Sequence, residues 1–129
     1  MSGSSRPVVG VDAVAIARFR AVMARRPGIA DRLFTPSERE HAGRRSDPVP
    51  SLAARFAAKE ATMKVLSQGV GRLRFADIEV APASATRPPS ISLHGGAAEL
   101  ARRQGIAATS LSMTHTDELA FAVVVGTAS

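Results

Sequence analysis

The chain has 129 residues, 45% of them hydrophobic, no cysteine, a formal charge of +6 and a sequence pI of about 11.4. That length suits one domain with a real core. The missing cysteines exclude disulfides and thiolate chemistry and fit a reducing cytoplasm, and no apolar run approaches the roughly 18–20 residues that would span a bilayer.

Residues 1–6 are expected to form a flexible N-terminus, and the start MSGSSRPVVGVD lacks the apolar h-region of a signal peptide. PVVGV (7–11) reads as a short strand that ends at Asp12. The segment 13–26 carries Ile16, Phe19, Val22 and Met23 at helical spacing, with Asp12 placed as its N-cap and Pro27-Gly28 as its stop. Thr35, Pro36 and Glu38 give an N-cap, an N1 proline and an acidic first turn for a second, short helix. A loop over 42–51 follows, and then an alanine-rich helix over 51–67 of high intrinsic propensity. SQGVGR (67–72) closes that helix in a glycine loop. FADIEVAP (75–82) alternates as a strand with Ile78 and Val80 on one face, and ISLHG (91–95) is its hairpin partner. A helix over 97–105 precedes two strands, 108–115 and 119–126, joined by the turn TDE. The pattern is α+β with a small antiparallel sheet.

The basic charge calls for an anionic partner: nucleic acid, a phosphorylated small molecule or an acidic protein. With 4% aromatic residues and neither Trp nor Tyr, a stacking surface for single-stranded nucleic acid is disfavoured. A non-enzymatic basic module that binds nucleic acid is nevertheless the competing class, and it predicts steep salt dependence without any coenzyme.

The basic residues are unevenly chosen, two lysines against fifteen arginines, and both lysines lie in RFAAKEATMKVL (55–66). Glu60 and Lys64 share a helix face at i, i+4, which by spacing alone reads as an ordinary ion pair of about 0.2–0.5 kcal/mol. Phe56 lies on Glu60's face and packs inward with Leu52 and Met63, which puts Glu60 at the core boundary. An unpaired carboxylate is costly there, and a bound cation would relieve it. Without cysteine or a histidine cluster, zinc is disfavoured, whereas two carboxylates on separate elements with water and phosphate oxygens suit Mg²⁺. Asp12 is the second carboxylate, its plain reading being the N-cap. His115 beside a turn is either structural or, with Thr114, a donor pair for an anion. Gly69 and Gly71 either cap the helix or let backbone N–H groups approach a phosphate. Arg44 and Arg45 clamp a phosphate or face water.

In chain order, GVD (10–12), RFAAKEATMK (55–64), SQGVGR (67–72) and SMTHTDELAFAVVV (112–125) resemble the holo-acyl-carrier-protein synthase family of 4′-phosphopantetheinyl transferases over nearly the whole chain. The resemblance implies that family's fold, a small antiparallel sheet packed with helices, in a single-domain subunit spanning 1–129. It implies a Mg²⁺-dependent enzyme that moves the 4′-phosphopantetheine arm of coenzyme A onto a serine of apo acyl carrier protein and releases 3′,5′-ADP. Asp12 and Glu60 match the metal ligands and Glu60, directly or through water, the acceptor of the serine proton. Lys64 matches the lysine that contacts the phosphate, a task suited to a compact ammonium rather than a planar guanidinium fork.

Arg55, Thr114 and His115 match coenzyme A contacts, the last two at the nucleotide's 3′-phosphate, while Gly69 and Gly71 match the loop near the pyrophosphate. Arg44 and Arg45 are kept as phosphate contacts, though loop 42–51 does not align. Arg18, with Arg25 seven residues on, matches the basic stripe that meets the acidic carrier. The family is homotrimeric with sites between subunits, cytoplasmic and not membrane-bound. Two departures stand out: Val8 occupies a glycine position, and Arg87 takes the glycine of a G-x-P turn, so adenine contacts are not carried over to Arg87–Pro89. Lys59 receives no role.

Overall fold

The computed structural model describes residues 6–67 and 73–128. Gly69 and Gly71, and with them the glycine-loop reading, lie outside the described residues, as does most of the expected flexible N-terminus.

Strand β1 (Val8–Ala15) leads directly into helix α1 (Ile16–Arg25). A five-residue helix α2 (Ile29–Leu33) follows, then α3 (Pro36–Gly43), the long helix α4 (Val49–Val65), strands β2 (Ile78–Ala81) and β3 (Ser90–Leu93), helix α5 (Gly95–Arg103), and strands β4 (Ala108–His115) and β5 (Leu119–Thr127). β1, β5 and β4 form an antiparallel sheet in that spatial order, and β2 and β3 form a separate antiparallel pair.

Asp12 is not an N-cap. β5 continues to Leu119, and its register with β1 runs from Val8↔Gly126 to Ala15↔Leu119, so 12–15 are drawn into the strand against their helical pattern. α1 starts three residues later than expected, with Ala15 at the N-cap and no side-chain cap. The Thr35 expectation holds in full: Thr35 Oγ1 accepts from Glu38 N, Glu38 Oε1 accepts from Thr35 N, and Pro36 sits in the first turn. The loop between α3 and α4 is shorter than 42–51, because α3 runs to Gly43 and α4 starts at Val49. Residues 75–77 form a 3₁₀ turn before β2, and Ile78 and Val80 are buried on one face as the alternation implied.

α4 is the centre of the molecule. It lies on β1 and β5 and is also touched by α1, α3, β2 and β4. Its alanines explain how: Ala53, Ala57, Ala58 and Ala61 are fully enclosed and hold backbone and sheet close together. At Gly10 the approach is so close that a Cβ would collide with the carbonyl oxygen of Ala61. Leu52 and Met63 are buried as expected, while Phe56 is half-buried, its ring 5.4 Å from both Phe19 and Phe75. None of the described helices is long and apolar enough to cross a membrane.

Candidate active site

The close contact of α4 with β1 places one group of polar side chains. Asp12 sits mid-strand opposite Ala122, on the sheet face that carries α4, with its side chain 18% exposed. Lys64 does not pair with Glu60. Its ammonium crosses to β1, donating to the carbonyl oxygen of Val11 at 2.7 Å and reaching Asp12 Oδ1 at 3.4 Å. The i, i+4 ion pair suggested by spacing is therefore replaced by a contact between elements. Glu60 is left half-buried, and its pKa is raised, first by burial and then by the charge of Asp12, with Lys64 opposing both.

Two carboxylates of like charge on a strand and a helix, one destabilised by the other, form a donor set that fits a hard divalent cation. Among the described residues no three His, Asp or Glu side chains come together. Water and substrate oxygens would therefore supply the remaining ligands.

A second group lies on another side of α4. Arg55 precedes Glu60 by five residues, which turns it about 140° around the helix and about 7.5 Å along it. A cavity of about 370 Å³ there is lined by His41, Arg45, Ser51, Arg55, Thr114 and His115 among others. Arg55 is 5% exposed; its Nη1 donates to the Ser51 carbonyl oxygen at 3.3 Å and to the Ser51 hydroxyl, while its buried Nε has no partner among the described residues. Among the described residues no carboxylate lines the cavity. His115 donates from Nδ1 to the Thr116 carbonyl oxygen at 3.2 Å, leaving Nε2 free of that bond. Arg44 does not line the cavity and pairs with Glu40 at 3.1 Å instead. His115 stands on β4 and Asp12 on β1, with β5 between them and their partners on it two residues apart, so their backbones are about 12 Å apart at strand spacing.

Arg18 and Arg25 are exposed on α1, and neither forms an ion pair among the described residues. A larger cavity of about 870 Å³ between α2 and residues 73–76 contains Arg26, Arg32 and Arg74 and, among the described residues, none of the expected site residues.

Sequence reasoning left Lys59 without a role and placed Glu38 only as a helix-start residue. Both are fully enclosed and meet at 2.8 Å. Lys59 Nζ also donates to the carbonyl oxygens of Phe75 at 2.9 Å and Ile78 at 2.6 Å, and Glu38 Oε2 accepts from Val80 N at 2.7 Å. The signal was available: a lysine set among Ala57, Ala58 and Ala61 on a helix buried on nearly every side needs an enclosed acceptor. His41 was also passed over, because nothing in its neighbours' spacing marks it as facing a cavity.

The 4′-phosphopantetheinyl transferase superfamily model matches residues 8–124. The chain is 49% identical over 117 residues to the holo-[acyl-carrier-protein] synthase of Frankia alni, covering 91% of this chain and 93% of the relative. It is 41% identical over 116 residues to that of Moorella thermoacetica, covering 90% of each. Among solved structures, the Chronobacterium ammoniagenes ACPS–CoA complex superposes with a TM-score of 0.81 at 32% identity, covering 96% of this chain and 98% of that one. The Helicobacter pylori holo-[acyl-carrier-protein] synthase in complex with coenzyme A does so with a TM-score of 0.78 at 34% identity, covering 92% and 98%. With a family match across nearly its whole length and relatives of this similarity, the chain belongs to the holo-acyl-carrier-protein synthase family of the 4′-phosphopantetheinyl transferases.

Proposed function

We propose that this chain transfers the 4′-phosphopantetheine arm of coenzyme A to a serine hydroxyl of an apo acyl carrier protein and releases 3′,5′-ADP. The observation that carries the reading is the contact of the Lys64 ammonium with Asp12 across α4 and β1, with Glu60 near enough for the Asp12 charge to raise its pKa. The serine oxygen forms a bond to the phosphorus that bears pantetheine, and that phosphorus loses its bond to the oxygen bridging to the nucleotide. Glu60, directly or through a water, accepts the serine proton, as a carboxylate positioned at the reacting hydroxyl can. Lys64, held on the Val11 carbonyl, lies within reach of phosphate oxygens near Asp12 and offsets the charge that leaves with 3′,5′-ADP. Mg²⁺ held by Asp12 and Glu60 would supply charge neutralisation at the pyrophosphate.

The cavity under α3 takes the nucleotide's 3′-phosphate, through Arg45, Arg55, Thr114 and His115. Guanidinium forks suit that oxyanion, and the unpartnered Nε of Arg55 is consistent with a missing acceptor. The two groups lie on different sides of α4, which supports a homotrimer of single-domain subunits whose active sites combine the metal residues of one subunit with the cavity of the next. Val9, Val11, Leu119 and Val123 leave the outer sheet face apolar, being 59%, 54%, 38% and 39% exposed, and such a face is suited to burial against another subunit. Arg18 and Arg25 on α1 meet the acidic carrier, which would come from fatty-acid, polyketide or peptide synthesis in the cytoplasm.

Incubation with coenzyme A, Mg²⁺ and apo carriers from the host should add one phosphopantetheine mass to at least one carrier. No addition to any of them would overturn the reading.

A further inference from the structure

His41 stands in the last turn of α3 with its ring half-buried, lining the same cavity as Arg45, Arg55, Thr114 and His115. The charges around it are one-sided. From α4 it faces Arg55, and from the loop after α3 Arg44 and Arg45, while β4 brings Thr114 and His115 to the same cavity. The carboxylates of its own helix are engaged elsewhere: Glu38 is enclosed with Lys59, Thr35 N and Val80 N, and Glu40 holds Arg44. An imidazole beside cations, with no counter-charge lining the cavity, sheds its proton; burial, then Arg55, Arg44 and Arg45, lower its pKa from the ordinary value. A dianionic phosphate seated there reverses the local field and makes the imidazolium the favoured form.

We propose that His41 is a specificity-determining residue of the 3′-phosphate subsite: neutral in the free cavity, it takes up a proton as the phosphate seats and donates it in a hydrogen bond, so that recognition of the 3′-phosphorylated nucleotide is proton-linked. The inference rests on the assignment of this cavity to the nucleotide's 3′-phosphate. Its consequence is a stronger grip on 3′-phosphorylated nucleotides as pH falls toward 6, with no comparable gain for a nucleotide that lacks that group.

The test is calorimetry of 3′,5′-ADP binding to the full chain without added divalent metal, in two buffers of different ionisation enthalpy, between pH 6 and 8. Unmodified protein and His41→Gln are compared, since glutamine keeps a donor but cannot titrate. The second ionisation of the phosphate, near pH 6, is common to both proteins and cancels in the difference. The unmodified protein should take up more protons on binding than the variant. Its affinity should fall by up to about tenfold per pH unit relative to the variant's, while 5′-AMP shows no such difference. Equal proton uptake in the two proteins, with 3′,5′-ADP still preferred over 5′-AMP, would overturn the His41 role alone. Loss of any preference for 3′,5′-ADP in the unmodified protein would overturn the cavity assignment and this inference together. If His41→Gln fails to fold, the His41 ring resonances of the unmodified protein give the answer: an apparent pKa that does not rise when 3′,5′-ADP is added refutes the proposal.

Discussion

Lys59 and Glu38 meet at 2.8 Å with both side chains fully enclosed, and together they tie α4 to α3, to the turn at 75–77 and to β2. The ammonium satisfies its three donors on Glu38 Oε1 and the carbonyl oxygens of Phe75 and Ile78. Burial lowers the pKa of Lys59 and the Glu38 charge pulls it back. Removing one partner strands a charge in the core, so Lys59→Met or Glu38→Gln should each destabilise by about 3–5 kcal/mol. The double variant should lose clearly less than the sum, as read by urea unfolding. Additive losses would show that the pair is not coupled.

Glu60 makes the opposite prediction. Its raised pKa means that the native state binds its proton more tightly than the unfolded chain does. The group is therefore no burden below its ordinary carboxylate range, and its ionisation costs stability as pH rises through the raised value. In metal-free buffer at pH 7, Glu60→Gln should unfold at a higher temperature than the unmodified chain, with the gap closing below about pH 4. Phosphopantetheine transfer by the same variant should fall at least about 100-fold. A variant that is both less stable and fully active would contradict the site.

The same carboxylate gives a pH dependence for the metal. With Glu60 as a metal ligand, as proposed, proton and divalent cation would compete for it, and its proton is held more tightly than usual because of burial and Asp12. The Mg²⁺ concentration that half-saturates transfer should therefore rise as pH falls toward the raised value. Asp12→Asn removes the repulsion, so the Glu60 carboxyl resonance should titrate lower in that variant. No downward movement would mean that Asp12 does not face Glu60 in solution.

Much of this fold was legible where local chemistry decides. The Thr35 capping box, the alanine helix, the Ile78/Val80 alternation and the closing hairpin needed no tertiary information. What escaped was set by partners distant in the chain. β5 pulls residues 12–15 out of a helical pattern and into β1, and the close approach at Gly10 turns Lys64 from Glu60 to Val11. The candidate site shows the same division. Asp12, Glu60 and Lys64 stood out through motif order, but periodicity, which sets Arg55 and Glu60 about 140° apart on α4, does not say what each side faces, or that His41 shares a cavity with His115.

The outer sheet face bears on assembly. Val11 and Val123 pair across β1 and β5 and are 54% and 39% exposed. If a trimer buries this face, Val11→Glu places a carboxylate in an apolar contact while leaving the α4 side of the sheet untouched. Light scattering should then show a trimer for the unmodified chain and a smaller species for Val11→Glu, with transfer lost in parallel and the far-UV spectrum retained. A monomer for the unmodified chain at micromolar concentration would remove the subunit-shared site.

Arg18 and Arg25 are exposed on α1, remote in sequence from the α4 residues and outside both cavities. Charges in such a position act on encounter and orientation with an acidic partner more than on the chemical step. Arg18→Glu should raise KM for the carrier by about tenfold or more while kcat and KM for coenzyme A change little. The defect should shrink as salt is added, because screened charges no longer steer. Arg25→Glu should act in the same direction, and more weakly if it only extends the stripe. A fall in kcat with carrier KM unchanged would place Arg18 in the chemistry or the fold and not on the docking surface.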